Sequence, residues 1–171
     1  MVALRITAAM ATLALALGIS SAHAAPVCSL IQPAVVESLI GAKLASKDEL
    51  KGVVSEDCSY MTVPNEGGPG FFSISRLTRA IPAGSGRSIL TSIPGSDKFV
   101  DIAGLGDEAV MNTAANDLAV RSGTVWYHIV TRGMQCPGDT FGAATEVKER
   151  CRTLRNDTLS KAARLIVGPK K

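Results

Sequence analysis

The sequence has few of the side chains that carry enzyme and metal chemistry. It contains two histidines, one tryptophan and 4% aromatic residues. His23 lies in the apolar N-terminal segment, which leaves His128 as the one histidine of the remaining chain. A zinc site needs three or four ligands, and no carboxylate or cysteine lies within one turn of His128. The sequence therefore predicts no metal and no cofactor, and it favours a structural role for His128 on a strand.

An excess of charge of one sign is also missing. The chain has 18 basic and 15 acidic residues, for a formal net charge of +3. A nucleic-acid-binding domain usually has a strongly basic face, and a charge this small gives no such argument. We therefore expect no nucleic-acid partner.

No apolar run is long enough to cross a membrane. The uncharged run from Ile6 to Ile19 falls short of the about 20 residues that a spanning helix needs. A basic residue, Arg5, precedes the run, and the small residues of Ala22-His23-Ala24 follow it, in the order of a secretory signal peptide. We expect residues 1–24 to be a signal peptide that is cleaved after Ala24.

The remaining residues, 25–171, have the length of one exported domain. Attachment of a lipid would need a cysteine directly after a small residue at the cleavage site, whereas Pro26-Val27 precede Cys28. We therefore expect a mature protein in the periplasm or the medium, with neither a lipid anchor nor a stable membrane span.

The cysteines of the exported part are even in number. An even number in an oxidising compartment points to two disulfides, and four cysteines allow three pairings. We favour the pairing of nearest neighbours in the sequence, which would tie each helix to a flanking strand or loop. The bonds would then be Cys28–Cys58 and Cys136–Cys151.

Local patterns predict an α+β fold. Pro33 and Gly41 bracket a short helix, and residues 140–167 have a helical period that 156–158 could divide in two. The polar residues 43–51 are predicted to be a loop or a frayed helical turn. Strands are predicted over residues 57–63, 71–77, 98–102, 108–112, 118–121 and 125–131.

These elements predict an antiparallel sheet of five or six strands, with the N-terminal and C-terminal helices packed on one face. The last two strands should form a hairpin through a tight turn at Ser122-Gly123. Residues 78–96 form the longest irregular stretch, with a possible turn of helix over residues 87–93.

Two glycine-rich segments resemble phosphate-binding motifs, but neither has the complete pattern. Residues 101–109 contain G-x-G-x-x-A, but the dinucleotide motif needs a helix after it and here a strand follows. A turn that uses Gly104 and Gly106 for positive φ explains the segment better. Residues 84–88 lack the lysine and the spacing of a phosphate-binding loop.

The charge is least even at the C-terminus, where eight basic residues outnumber three acidic ones from Glu146 onward. Such a segment could bind an anionic polymer, lipid headgroups or an acidic protein patch. The simpler interpretation is the solvated face of an amphipathic helix. The candidate anion-binding face consists of Lys148, Arg152, Arg155 and Arg164.

No complete catalytic set is visible. Nucleophilic catalysis needs a nucleophile, a base and an orienting group, and there is no G-x-S-x-G motif. Asp107 and Glu108 are adjacent on a predicted strand and would point to opposite faces. A hydrolase with His128 as its base is the alternative, which a cleft lined by His128 and Tyr127 beside an acid with a shifted pKa would favour.

Short motifs in the chain resemble those of a known family. They are Cys28-Ser-Leu-Ile, a helix ending at Ile40-Gly41, Cys58-Ser-Tyr60, the segment 100–109, the segment Leu118-Ala-Val-Arg-Ser-Gly123 and a final helix. This order resembles small exported domains of unknown function that are common as lipoproteins in actinobacteria, and more distantly the extracellular sensor domains of their membrane kinases.

The resemblance covers almost all of residues 25–171 and implies a Cys28–Cys58 bond. It implies no enzyme, metal or cofactor. The chain departs from the family pattern in lacking a lipid-attachment signal, in having Tyr60 in place of a tryptophan, and in the additional Cys136 and Cys151.

The function expected from the sequence is therefore a non-catalytic envelope domain that binds a protein, a glycan or a small ligand. The alternatives are a small periplasmic hydrolase using His128, and an inhibitor or accessory subunit of an envelope enzyme that acts through residues 78–96.

Overall fold

The computed structural model describes residues 25–64, 68–92, 94, 97–133, 136, 138 and 142–168. The predicted signal peptide lies outside the described residues, as do residues 169–171. In chain order the elements are a 3-10 turn (Val27–Ser29), α1 (Pro33–Ile40), β1 (Leu44–Lys51), β2 (Ser55–Thr62), β3 (Phe71–Leu77), α2 (Gly86–Ile89), β4 (Phe99–Asp101), β5 (Glu108–Asn112), β6 (Asp117–Ser122), β7 (Val125–Arg132) and α3 (Thr145–Val167).

The strands form one antiparallel sheet in the order β1-β2-β3-β7-β6-β5-β4. The predicted α+β class is confirmed, but the described residues form a sheet of seven strands rather than five or six. The additional strand is β1, in residues 43–51, whose polar composition predicts a loop or a frayed helical turn. It pairs with β2 along its length at the sheet edge, where exposed side chains give no apolar alternation.

Helices α1 and α3 both contribute to the core on one face of the sheet. Their apolar side chains pack with those of the sheet in the main core, which includes Val36, Ile40, Tyr60, Phe72, Ile74, Leu118, Ile129 and Leu159. Gly41 ends α1 at φ +67°, and its N–H donates to the carbonyl oxygen of Glu37 at 2.9 Å. The predicted end of this helix is therefore correct.

Helix α3 continues without a break through Asn156 and Asp157, so the suggested division there is wrong. Its neighbour Thr158 is buried, and the Thr158 hydroxyl donates to the carbonyl oxygen of Leu39 at 3.2 Å. Thr158 therefore serves as a link between α3 and α1 instead of ending the helix.

The opposite face is covered only in part. The crossover segment, defined as described residues 78–92, 94, 97 and 98, carries α2 across β5 and β6. Trp126 lies beneath this segment, and its indole N–H donates to the carbonyl oxygen of Ile81 at 3.2 Å. The remainder of this face, on β2 and β3, keeps half-exposed side chains such as Asp57, Ser59 and Ser75.

Both predicted disulfides are confirmed. Cys28–Cys58 joins the 3-10 turn to β2, and Cys136–Cys151 joins the segment after β7 to α3, with Cα atoms 5.0 and 5.6 Å apart. Two such bonds indicate an oxidising environment. In the described part of the chain, no helix combines the length and the apolar character that a membrane span requires.

Candidate functional site

His128 lies at the floor of a cleft on the partly covered face. The cleft has a volume of about 270 Å³ and lies between the β1–β2 hairpin and the crossover segment. Its walls combine apolar, hydroxyl and cationic side chains. They are Val54, Ser55, Leu77, Arg79, Ile81, Ser88, Ile89 and His128.

A buried carboxylate fixes the His128 ring. His128 Nε2 lies 3.3 Å from Asp117 Oδ2, and the Asp117 side chain is fully buried. The backbone N–H of Thr91 donates to the same oxygen at 2.8 Å. Burial raises the pKa of Asp117, but the hydrogen bonds from His128 and Thr91 together outweigh it and hold that pKa below its usual value.

This contact determines which ring nitrogen of a neutral His128 carries the proton. An ionised carboxylate only accepts hydrogen bonds, so His128 Nε2 carries the proton that faces Asp117. In the neutral ring the other nitrogen, Nδ1, is then an acceptor. Within the described residues no hydrogen bond occupies His128 Nδ1.

The pairing of β6 with β7 brings Asp117 and His128 close together. Ser122 pairs with Val125, which puts Ala119 opposite His128 and Asp117 opposite Val130. Because side chains alternate between faces, Asp117 and His128 lie on the same face in diagonal positions. The position of the predicted hairpin turn therefore determines the register that brings Asp117 and His128 together.

A second buried polar side chain, Asn112, holds the crossover segment that forms one side of the cleft. Asn112 donates through Nδ2 to the carbonyl oxygen of Thr91 at 2.8 Å and to Asp97 Oδ1 at 2.9 Å. Its Oδ1 accepts from the backbone N–H groups of Ala114 and Ala115 at 3.1 and 3.3 Å. Asn112 and Asp117 thus both anchor the crossover segment to the sheet, and Thr91 is the residue that they share.

The two hydroxyl groups of the cleft have their protons engaged. Ser55 Oγ donates to Asp57 Oδ2 at 2.8 Å, and Ser88 Oγ donates to the carbonyl oxygen of Ser85 at 2.8 Å. The lone pairs of both oxygens remain available. With His128 Nδ1, the cleft presents three groups that can accept hydrogen bonds.

Arg79 is the cation of the cleft, and it is exposed. No acidic side chain among the described residues forms an ion pair with it. Two other arginines, by contrast, have acidic neighbours: Arg87 lies 3.6 Å from Asp101, and Arg121 lies 3.7 Å from Glu108.

The turn that borders the cleft on one side is apolar, and its Val54 belongs to the cleft lining. Val53 and Val54, in the β1–β2 turn, are 96% and 56% exposed. Thr78 holds this turn in place, because its hydroxyl donates to the carbonyl oxygen of Val53 at 2.8 Å and its N–H to that of Val54 at 3.0 Å. This turn is therefore fixed relative to β3 and the cleft.

The glycine-rich segment 101–109 forms a turn, as predicted, with Gly104 at φ +72° and Gly106 at φ +59°. Its acids have structural partners. Asp107 accepts from the Gly123 N–H at 2.7 Å, and Glu108 accepts from the Gly84 N–H at 2.7 Å.

A larger cleft, of about 540 Å³, lies beside this turn and includes Arg87, Asp101 and Glu108. Its charged groups bond to one another or to the backbone, as described above. The smaller cleft over His128 is the better candidate because its polar groups retain free bonding capacity.

The predicted anion-binding residues are only partly brought together. A helix advances by about 100° per residue, so Lys148, Arg152 and Arg155 lie within about 60° of one another around α3. Arg164 lies about 160° from Lys148 by the same geometry. Arg152 also forms an ion pair with Glu149. Anion binding by these residues stays a prediction.

Tyr127 lies on the helix-covered face, where it packs against the main core. It therefore does not share the cleft with its neighbour His128. The described residues contain no group of three or more His, Cys, Asp or Glu side chains positioned to hold a metal ion.

Comparison of the chain with protein-family models, curated proteins and solved structures gave no match. The resemblance to exported actinobacterial domains therefore stays a prediction. The candidate site rests on the geometry alone.

Proposed function

We propose that this protein is a non-catalytic binding domain, exported by its signal peptide to the periplasm or the medium, that holds a small ligand in the cleft over His128. The observation that carries the proposal is the ring of His128, fixed by the buried Asp117 at the floor of a cleft whose walls are partly apolar. Binding sites typically combine apolar walls with a few placed polar groups.

The cleft meets that description. Leu77, Ile81 and Ile89 supply apolar wall, and each is half-buried against the smaller core that contains Trp126. A volume of about 270 Å³ lies just below the about 300 Å³ of the smallest typical ligand sites. The ligand is therefore small, or it is one residue of a longer molecule.

The proposal can be tested by mapping the binding of a chemically mixed fragment set with ¹⁵N-edited NMR on the oxidised protein. We expect fragments to shift the amide resonances of Ile81, Ile89 and His128 together. In a Val54→Glu variant these shifts should weaken. The matched control is Val63→Glu, because Val63 is also an exposed valine but lies at the other end of β2. Shifts that cluster elsewhere, for example on α3, would contradict the proposal.

A small hydrolase is the second candidate. It is favoured by the orientation of His128 by Asp117, which matches the base and orienting group of a catalytic triad. Ser75 is the directly paired neighbour of His128 on β3. Against it, β3 and β7 are interior strands whose N–H groups bond within the sheet, so they offer no donors for an oxyanion.

The two functions are separated by assay with an activated ester such as p-nitrophenyl acetate. Turnover above the background rate that is abolished by His128→Ala and by Ser75→Ala would support the hydrolase. Turnover that neither substitution changes would leave binding as the function.

A further inference from the structure

We infer that the ligand of the His128 cleft is a small polyhydroxylated acid, such as a sugar acid, that donates hydrogen bonds from its hydroxyls and places its carboxylate at Arg79. The inference rests on the proposed function of the cleft and names the ligand class. It follows from the hydrogen bonds that the protons of Ser55, Ser88 and His128 already make within the protein.

The serine hydroxyls and the imidazole of the cleft favour a ligand that donates hydrogen bonds. The Ser55 proton is directed to Asp57, the Ser88 proton to the Ser85 carbonyl oxygen, and the His128 Nε2 proton to Asp117. The lone pairs of the two hydroxyls, and Nδ1 of the neutral His128 ring, accept hydrogen bonds. An uncharged hydroxyl of the ligand can donate to each of them, whereas a ligand with acceptors only would leave them unpaired at a cost in affinity.

The positive charge of Arg79 favours an acidic ligand. Arg79 brings a permanent positive charge, and a guanidinium matches the two oxygens of a carboxylate. Two carboxylates contact residues of the cleft, and both are engaged: Asp57 accepts the Ser55 hydroxyl, and Asp117 accepts from His128 and Thr91. Neither acid belongs to the cleft lining. The carboxylate of the ligand therefore belongs at the Arg79 side of the cleft and the hydroxyls at the His128 side.

Four probes separate these features: glucuronate has hydroxyls and a negative charge, glucose has hydroxyls alone, butyrate has the charge alone, and glucosamine has hydroxyls and a positive charge. We expect NMR titration of the oxidised protein to give glucuronate the highest affinity. The resonances of Ile81, Ile89 and His128 should report the binding.

Two substitutions test the assigned contacts, each with a matched control. Arg79→Gln should weaken glucuronate binding about fivefold and leave glucose unchanged, because exposed ion pairs are worth up to about 1 kcal/mol. The control is Arg87→Gln, since Arg87 lines the other cleft. Ser88→Ala should weaken both hydroxylated probes about threefold to tenfold without changing butyrate binding. Its control is Ser38→Ala on α1, where Ser38 is also exposed.

The outcomes distinguish this inference from the proposed function. Butyrate or glucosamine binding as tightly as glucuronate, or equal effects of Ser88→Ala on butyrate and glucose, would overturn the ligand class and leave a binding cleft. If neither these probes nor the fragment set shifts the cleft resonances, the proposed function fails and the inference fails with it.

Discussion

At the scale of single residues, Asp117 connects stability with the candidate site. It is fully buried, and it accepts hydrogen bonds from both His128 and the backbone of Thr91. An alanine at this position would remove the acceptor of the His128 ring and of the partly buried Thr91 N–H, and the loss of hydrogen bonds to a charged group costs about 1–3 kcal/mol. We expect Asp117→Ala to lower the free energy of unfolding by about that amount.

Urea unfolding followed by circular dichroism checks this prediction. The matched control is Asp101→Asn on β4, since the Asp101 side chain is 73% exposed. Surface substitutions of this kind usually change stability by less than about 0.5 kcal/mol. Equal effects at the two positions would mean that the buried hydrogen bonds of Asp117 are not what stabilises the cleft.

The same carboxylate predicts a dependence of stability on pH. Its pKa in the folded protein is held below the ordinary value of 3.8 by the His128 and Thr91 hydrogen bonds. The stabilisation is therefore complete above the unfolded pKa and is lost as the pH falls through the folded pKa. We expect the free energy of unfolding to decrease below about pH 4, and to decrease less steeply in Asp117→Asn.

Urea titrations at a series of pH values from 7 to 3 measure that slope. Part of it should survive in the variant, because the Leu44 N–H and Lys43 also lower the pKa of Glu37. Parallel curves for the wild type and Asp117→Asn would refute the assignment to Asp117.

Residue roles could be predicted from the sequence only where the local chain determines them. The tight turn at Ser122-Gly123 determines which residues of β6 face those of β7, and so brings Asp117 near His128. Arg79 and Ser88 belong to the crossover segment, whose path over the sheet depends on contacts such as Trp126 with Ile81. No local pattern carries that information, and the sequence therefore did not reveal the cleft.

At the scale of elements, the turn between β4 and β5 depends on two glycines with different surroundings. At Gly106 a Cβ would collide with the carbonyl oxygen of Arg121, whereas at Gly104 nothing lies within 4 Å of a Cβ. Both have positive φ, which costs an alanine about 1–2 kcal/mol. We expect Gly104→Ala to lose only that amount and Gly106→Ala to lose about 3 kcal/mol.

Thermal and urea unfolding of the two variants measure this difference, and each variant serves as the control for the other. The Gly106 variant should also weaken the ion pair of Arg121 with Glu108, because the collision displaces the Arg121 backbone. Equal losses would show that φ alone, rather than the close approach of β6, requires glycine at position 106.

The elements that could be predicted are those whose pattern comes from burial or from a strong stop signal. The alternation in β3 and the ends of α1 are of this kind. β1 was missed because seven of its eight residues are exposed, and it is held mainly by backbone pairing with β2. An exposed edge strand with charged side chains resists pairing with other chains, but the same charges make it look like a loop.

At the scale of the whole molecule, two covalent links close loops around different parts of the core. Cys28–Cys58 spans 30 residues with both cysteines in the main core, and Cys136–Cys151 spans 15 residues at the start of α3. Both the cleft and the helix-covered face depend on β2 and β3, which lie next to the first link. We therefore expect the first disulfide to contribute more to the stability of the fold.

We expect the double variant Cys28→Ala/Cys58→Ala to lose more stability than Cys136→Ala/Cys151→Ala, with each loss within about 2–5 kcal/mol. The chain-entropy model makes the longer loop worth only about 0.6 kcal/mol more, so most of the difference should come from the contacts of the two buried sulfurs. Urea midpoints of the two oxidised variants and of the fully reduced wild type give the comparison. A larger loss of stability in the Cys136→Ala/Cys151→Ala variant would mean that the disulfide on α3 constrains the fold more strongly. In that case we would expect the cleft beside β2 and β3 to keep its ligand affinity after the Cys28–Cys58 bond is removed.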